Sequence, residues 1–250
     1  MSDICYKKNY LAEVIARIDF AQLVTTLNQP ILPEKIQEVL KSRYKIFEPS
    51  KAVTQGVTIT EAGITTDSQE FQQWVYHGEN REKTITINHH SITISLREYK
   101  DYENFKLDVI EPIQAISNAE GGVFINRTGL RYVNIFPNTN NNYAEISERF
   151  IEMIAAPYQS IIDLDNLSRH IQISEYIYDE IKLRIQSGIF NPDYPAKVKN
   201  KEFVLDFDAF MDTPHSFENM NNLFDELHKT IEGKFELLIT DKLRSELNAD

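Results

Sequence analysis

The chain has one cysteine, Cys5, in 250 residues, so no disulfide can form within it. A lone thiol suits a reducing compartment and leaves the apolar core to hold the fold. A protein of this length buries about 70% of the surface its unfolded chain exposes, so it needs no covalent or metal staple. No apolar stretch approaches the ~18 residues of a membrane span, and the opening "MSDICYKKNY" lacks the core of a signal peptide. The expectation is a cytoplasmic protein with no membrane segment. Nowhere do three basic residues follow one another, and 26 Lys plus Arg stand against 38 Asp plus Glu, a net charge of −12. Nucleic-acid binders usually carry a basic stripe, so direct binding to DNA or RNA is disfavoured and a basic protein partner favoured. Also missing are a nucleophile elbow, a phosphate loop, zinc spacing and a dinucleotide fingerprint, so no cofactor or metal is expected.

What is present is pattern. "AEVIARIDF" puts Val14, Ala16, Ile18 and Phe20 on one face of a strand. "LPEKIQEVLKSRYKIF" predicts a helix with Pro33 in its first turn and a stripe of Ile36, Val39, Leu40 and Tyr44. Pro49 and Gly56 then punctuate the approach to a strand-rich stretch. Within it, "TITINHHSITISL" folds about His89-His90 so that Ile85 and Ile87 face Ile94 and Ile92, with threonines on the other side. Asn88 and Ser91 flank the pair as turn formers, so both histidines are expected at an exposed tip rather than on a metal.

Asp101 is placed to cap a helix carrying Phe105, Val109, Ile113 and Ile116, which Gly121-Gly122 ends. Pro112 within it predicts a kink or restart. "VFINRTGLRYVNIF" reads as strand interrupted at Gly129, and "FPNTNNN" as a boundary. Beyond that boundary come a helix "YAEISERFIEMIAA" ended by Pro157, three strands, and an amphipathic segment over 219–247 with a restart at Thr240-Asp241. The fold expected is α+β, with two similar lobes at 1–137 and 143–250. Each would be an antiparallel sheet with helices packed on one face.

Candidate sites are few. Asp206 and Asp208 share a strand face and could approach a cation, although one wet strand face explains them as well. Asp163 or Asp165, followed by Glu180-Ile181-Lys182, imitates the acidic residue plus Glu-x-Lys of restriction-type nucleases, whose carboxylates hold Mg²⁺. Glu232-Gly233-Lys234 satisfies the second part too, so the pattern is weak. Arg131, between Leu130 and Tyr132, points to an ion pair or, as a weaker reading, to a bound ligand. His228 beside the last apolar stripe reads as a packing histidine.

The chain resembles an uncharacterised family, sporadically distributed in bacteria and archaea, of about this length. The matching residues are Glu13-Val14-Ile15, then Gly129, Leu130, Arg131, Tyr132 and Asn134, then Leu205, Asp206 and Asp208. Leu227-His228 and the Phe235 to Thr240 segment complete the set. The family usually has a proline before the first strand, where this chain has Asn9-Tyr10-Leu11. The resemblance implies no established activity. Its patchy distribution associates it with defence or mobile-element complexes. The reading that follows is a non-enzymatic cytosolic binding or regulatory protein with a protein partner, compatible with a homo-oligomer. The alternatives are a metal-dependent nuclease using Asp165, Glu180 and Lys182, or a small-molecule sensor with a pocket between lobes near Arg131.

Overall fold

The computed structural model describes residues 6–60, 63–137, 143–159, 161, 163, 166–197 and 202–249. The first half runs β1 (Leu11–Phe20), α1 (Glu34–Arg43), β2 (Ile46–Thr60), β3 (Gly63–His77), β4 (Lys83–Asn88), β5 (Ser91–Leu96) and α2 (Tyr102–Glu120). The second runs β6 (Phe124–Phe136), α3 (Tyr143–Arg149), α4 (Glu152–Gln159), β7 (His170–Tyr178), β8 (Ile181–Ile189), β9 (Phe203–Met211), β10 (His215–Ser216), α5 (Met220–Leu238) and α6 (Asp241–Asn248). All strands join one antiparallel sheet in the order β2-β3-β4-β5-β1-β6-β9-β8-β7, with β10 beside β6. The class is thus mixed, a large antiparallel sheet with helices.

Each half follows the same order of strand, helix, antiparallel meander and helix. Their leading strands, β1 and β6, pair antiparallel in the middle of the sheet, with Val14 opposite Tyr132 and Ala16 opposite Leu130. The boundary loop at 138–142 lies outside the described residues. On either side of it the sheet is continuous, because β6 pairs with β9 from Thr128↔Met211 to Phe136↔Phe203. Both halves therefore contribute to a single sheet and a single core.

Alternation along the strands decides which face is buried. Val14, Ala16 and Ile18 on β1, Ile85 and Ile87 on β4, Ile92 and Ile94 on β5, and Leu205, Phe207 and Ala209 on β9 are fully enclosed. The β4–β5 register is the one read from the sequence, Ile85↔Ile94, Thr86↔Thr93 and Ile87↔Ile92. Against that face lie α2, through Phe105, Val109, Ile113 and Ile116, and α5, through Met220, Phe224, Leu227 and Ile231. Asp101 caps α2 by accepting from the Asn104 N–H, and Gly121 ends it in the left-handed region at φ 81°. The final segment breaks at Ile239 and resumes as α6, as Thr240-Asp241 indicated.

Several expectations are corrected. Helix α2 is assigned without interruption through Pro112. Proline has no N–H to give the carbonyl four residues earlier, that of Asp108. The Tyr44 hydroxyl donates to that carbonyl at 3.4 Å. The Asp108 carboxylate in turn binds Lys83 Nζ at 2.8 and 2.9 Å and Arg43 Nη1 at 3.0 Å, tying α2 to β4 and α1. Helix α1 ends at Arg43, and Tyr44 is already extended. Pro49 and Gly56 lie inside β2, an edge strand, where a missing N–H is tolerated. Strand β6 runs straight through Gly129. The helix expected before Pro157 is two helices, separated where Phe150 bridges Ile239, and the second continues past Pro157.

The histidine pair does form the β4–β5 turn, with Asn88 Oδ1 accepting from the N–H groups of His90 and Ser91. His90 is exposed, but His89 is buried at 9% exposure, its ring edge-on to Phe71 from β3. Its Nδ1 has no hydrogen-bond partner among the described residues. Burial, with His90 adding to it, holds the His89 imidazole below its usual range, and burial does the same at His170. Such a group takes up its proton more readily in the unfolded chain. The stability it contributes is therefore intact above about pH 6.5 and lost as pH falls below that. The thermal midpoint should decline on acidification through that range, and less steeply in His89→Gln. Equal slopes in the two proteins would contradict the buried, neutral His89.

Candidate functional site

The sheet face opposite the helices carries Arg131, Asp206 and Asp208. One row crosses it as Ser95, Ile15, Arg131, Asp208, Arg184 and Glu175, neighbours by strand register. Arg131 makes a two-pronged ion pair, Nε to Asp206 Oδ1 at 2.9 Å and Nη2 to Oδ2 at 2.6 Å. The Asp206 side chain is 2% exposed and that of Arg131 42%, so the guanidinium lies over the carboxylate as a lid. Burial raises the Asp208 carboxyl above its usual range, which Arg127 and Arg131 only partly offset. Gly129 makes room for this arrangement. A Cβ there would fall 2.8 Å from Arg127 Nη1, whose guanidinium stacks over Phe210 at 4.6 Å. Asp206 and Asp208 thus share a face as expected, and both face arginines.

The nuclease-like residues do not assemble among the described residues. Asp165 lies outside them. Asp163 accepts from the main-chain and side-chain nitrogens of Asn166, a local turn. Glu180 sits in the β7–β8 turn rather than on a strand, and Lys182 binds Asp212 at 2.7 and 2.9 Å, not Glu180. Among the described residues no cluster of three or more His, Cys, Asp or Glu could hold a metal ion. Among the described residues no helix is long and apolar enough to cross a membrane.

A cavity of about 220 Å³ opens on the opposite, helix-covered side. Segment 6–11, the first turn of α2, strands β6 and β9, and helices α5 and α6 all line it. Adjacent residues on a strand point to opposite faces, so Tyr132 enters the cavity while Arg131 points away from it. Its walls are aromatic, with Tyr6, Tyr10, Tyr99, Tyr132, Phe207 and Phe235 among them. His228 forms part of the floor. Its ring stacks on Tyr102 at 3.8 Å and 5°, and its Nδ1 hydrogen-bonds the Tyr132 hydroxyl at 3.0 Å. That is the packing histidine expected from its place beside the apolar stripe.

Three of the phenols are held protonated. Burial first, then the Asp225 carboxylate at 2.8 Å, pushes Tyr102 far above the usual phenol range. Burial also raises Tyr132 well above it, and burial with Glu236 raises Tyr6. At physiological pH these three offer neutral hydroxyls, and the lining also includes the charged residues Lys8, Lys100, Asp101, Glu103, Glu232 and Glu236. Phe235 is only partly buried, against Phe207 at 6.2 Å, because one side of it borders the cavity. Truncation to alanine removes part of a ring already half out of the core, so the expected cost is about 2 kcal/mol rather than that of a fully enclosed phenylalanine. Urea unfolding measures it, and a loss above about 4 kcal/mol would mean the ring is a core residue after all.

The sequence suggests a pocket between lobes near Arg131 but does not identify this aromatic lining. The one available hint was spacing: Tyr6 and Tyr10, and Tyr99 and Tyr102, lie three or four apart at the starts of two elements. No protein-family model matches the chain, and no curated protein matches it significantly.

Proposed function

We propose that the chain is a non-enzymatic binding protein that holds a small, ring-bearing organic ligand in the aromatic cavity. The observation that carries this reading is the cavity itself. A closed apolar hole of about 150 Å³ suffices to take up a benzene molecule, and this cavity, which is open on one side, has room for one at about 220 Å³. Rings favour stacking with another ring, and the Tyr99 and Tyr132 hydroxyls supply a few polar points for orientation. We further infer that the two halves are similar lobes related across the β1–β6 pair. The cavity lies where the start of the chain and α2 from one half meet α5 and α6 from the other. A bound ligand would fasten those segments together, which is how occupancy could be relayed to a protein partner. The net charge of −12 favours a basic one.

Indole is a suitable probe, being one ring system with one donor. Titrated into the labelled protein, it should shift NMR resonances of Tyr99, Phe207 and Phe235 in a saturable way. Leu11→Trp, which fills the cavity from β1, should abolish those shifts while leaving the remaining spectrum in place. Shifts scattered over the surface, or shifts that survive Leu11→Trp, would sink the reading.

A further inference from the structure

We propose that β7 is a docking edge for a second copy of this chain, joined antiparallel through the same strand about a two-fold axis at Ser174. Among the described residues strand β7 ends the sheet and pairs with β8 alone. Its outer edge therefore presents a row of main-chain donors and acceptors, a template for another strand. Among the described residues no main-chain hydrogen bond outside the sheet reaches it. The strand at the opposite end, β2, is blunted by Glu48, Pro49 and Lys51. By contrast "HIQISEYIY" has no proline, glycine or lysine. Its single charge, Glu175, is drawn inward to Arg184 Nε at 2.7 Å on β8. Beside it Ile173 and Ile177 are 56% and 74% exposed, two large β-branched side chains on one face of an unguarded edge.

The strand's own sequence selects the occupant. Centred on Ser174, all nine residues of β7 pair with the second copy. Ile171 then faces Ile177 of the second copy, Gln172 faces Tyr176, and no charge meets its like. Centring on Glu175 instead sets two carboxylates directly opposite, which is destabilising. Centring on Ile173 leaves Ile177 without a partner. A two-fold contact uses up both β7 edges, and with β2 blunted at each far end the assembly stops at two. Each copy carries −12, so added salt should screen their repulsion and strengthen this dimer. Binding of a basic protein at the same edge would weaken with salt.

Sedimentation equilibrium of the full chain at micromolar concentration should give twice the 29.1 kDa chain mass, the more completely at higher salt. The double variant Ile173→Glu/Ile177→Glu, which sets a carboxylate opposite Glu175 of the second copy, should sediment as a single chain with an unchanged circular dichroism spectrum. In a Cys5→Ser background, Ser174→Cys should oxidise to a disulfide-linked dimer, whereas Tyr178→Cys, at the strand's end, should not. A single-chain mass for the wild type would overturn the proposal. So would a dimer that persists in the glutamate variant, or linkage through Tyr178→Cys in place of Ser174→Cys.

Discussion

Phe224→Ala is expected to destabilise the protein by about 3–5 kcal/mol, the range for a fully enclosed phenylalanine. The Phe224 side chain has no exposed surface. It stacks on Tyr102 at 6.0 Å and meets Phe105 at 5.9 Å, so a ring from α5 in the second half fills space between side chains of α2 in the first. Nothing nearby can collapse into the hole without moving a helix, and cost rises with the cavity that remains. Because both helices pack on one sheet, the loss should appear as a shifted but still single urea transition at every probe. Two transitions, with one half unfolding first, would mean that the shared core does not couple them.

Arg131→Ala is expected to cost about 3 kcal/mol, and the reason is Asp206 rather than Arg131. The arginine is half in water and could lose its partner cheaply. The carboxylate is 2% exposed, and the two bonds from Arg131 are its described hydrogen bonds. Removing the guanidinium leaves a buried negative charge with no close counter-charge, which is the expensive way to break an ion pair. The double variant Arg131→Ala/Asp206→Asn removes that charge as well, so it should be more stable than Arg131→Ala alone. Additive losses would contradict the lid-and-carboxylate arrangement. If Arg131 instead held a ligand, stability would hardly change.

What the sequence made legible was local. The isoleucine and threonine alternation around His89-His90 fixed the hairpin register, because period-two patterning specifies which residues must face the core. The Asp101 cap, the Gly121 stop and the break before Asp241 were readable for the same reason, since each depends on a few consecutive residues. The restart expected at Pro112 does not occur, because its remedy is remote. The hydroxyl that serves the Asp108 carbonyl comes from Tyr44, 64 residues earlier. His89 was expected to be exposed, as hairpin tips usually are. It is buried by Phe71 on β3, which extends past its last pairing with β4 at Gln73↔Asn88 to reach the hairpin tip. The single sheet was hidden likewise, because nothing near the boundary loop announces that β6 will pair with β9. The cavity was the least accessible feature. Its walls come from widely separated segments, and each tyrosine taken alone is an ordinary half-buried ring.

The most direct measurement is native mass spectrometry of the protein purified from its own cells. A small organic molecule should be retained under gentle ionisation, released on denaturation, and missing from an otherwise folded Leu11→Trp variant. An identical adduct on both proteins, or the bare chain mass for the wild type alongside no response to indole at Tyr99, Phe207 and Phe235, would contradict a ligand-holding cavity.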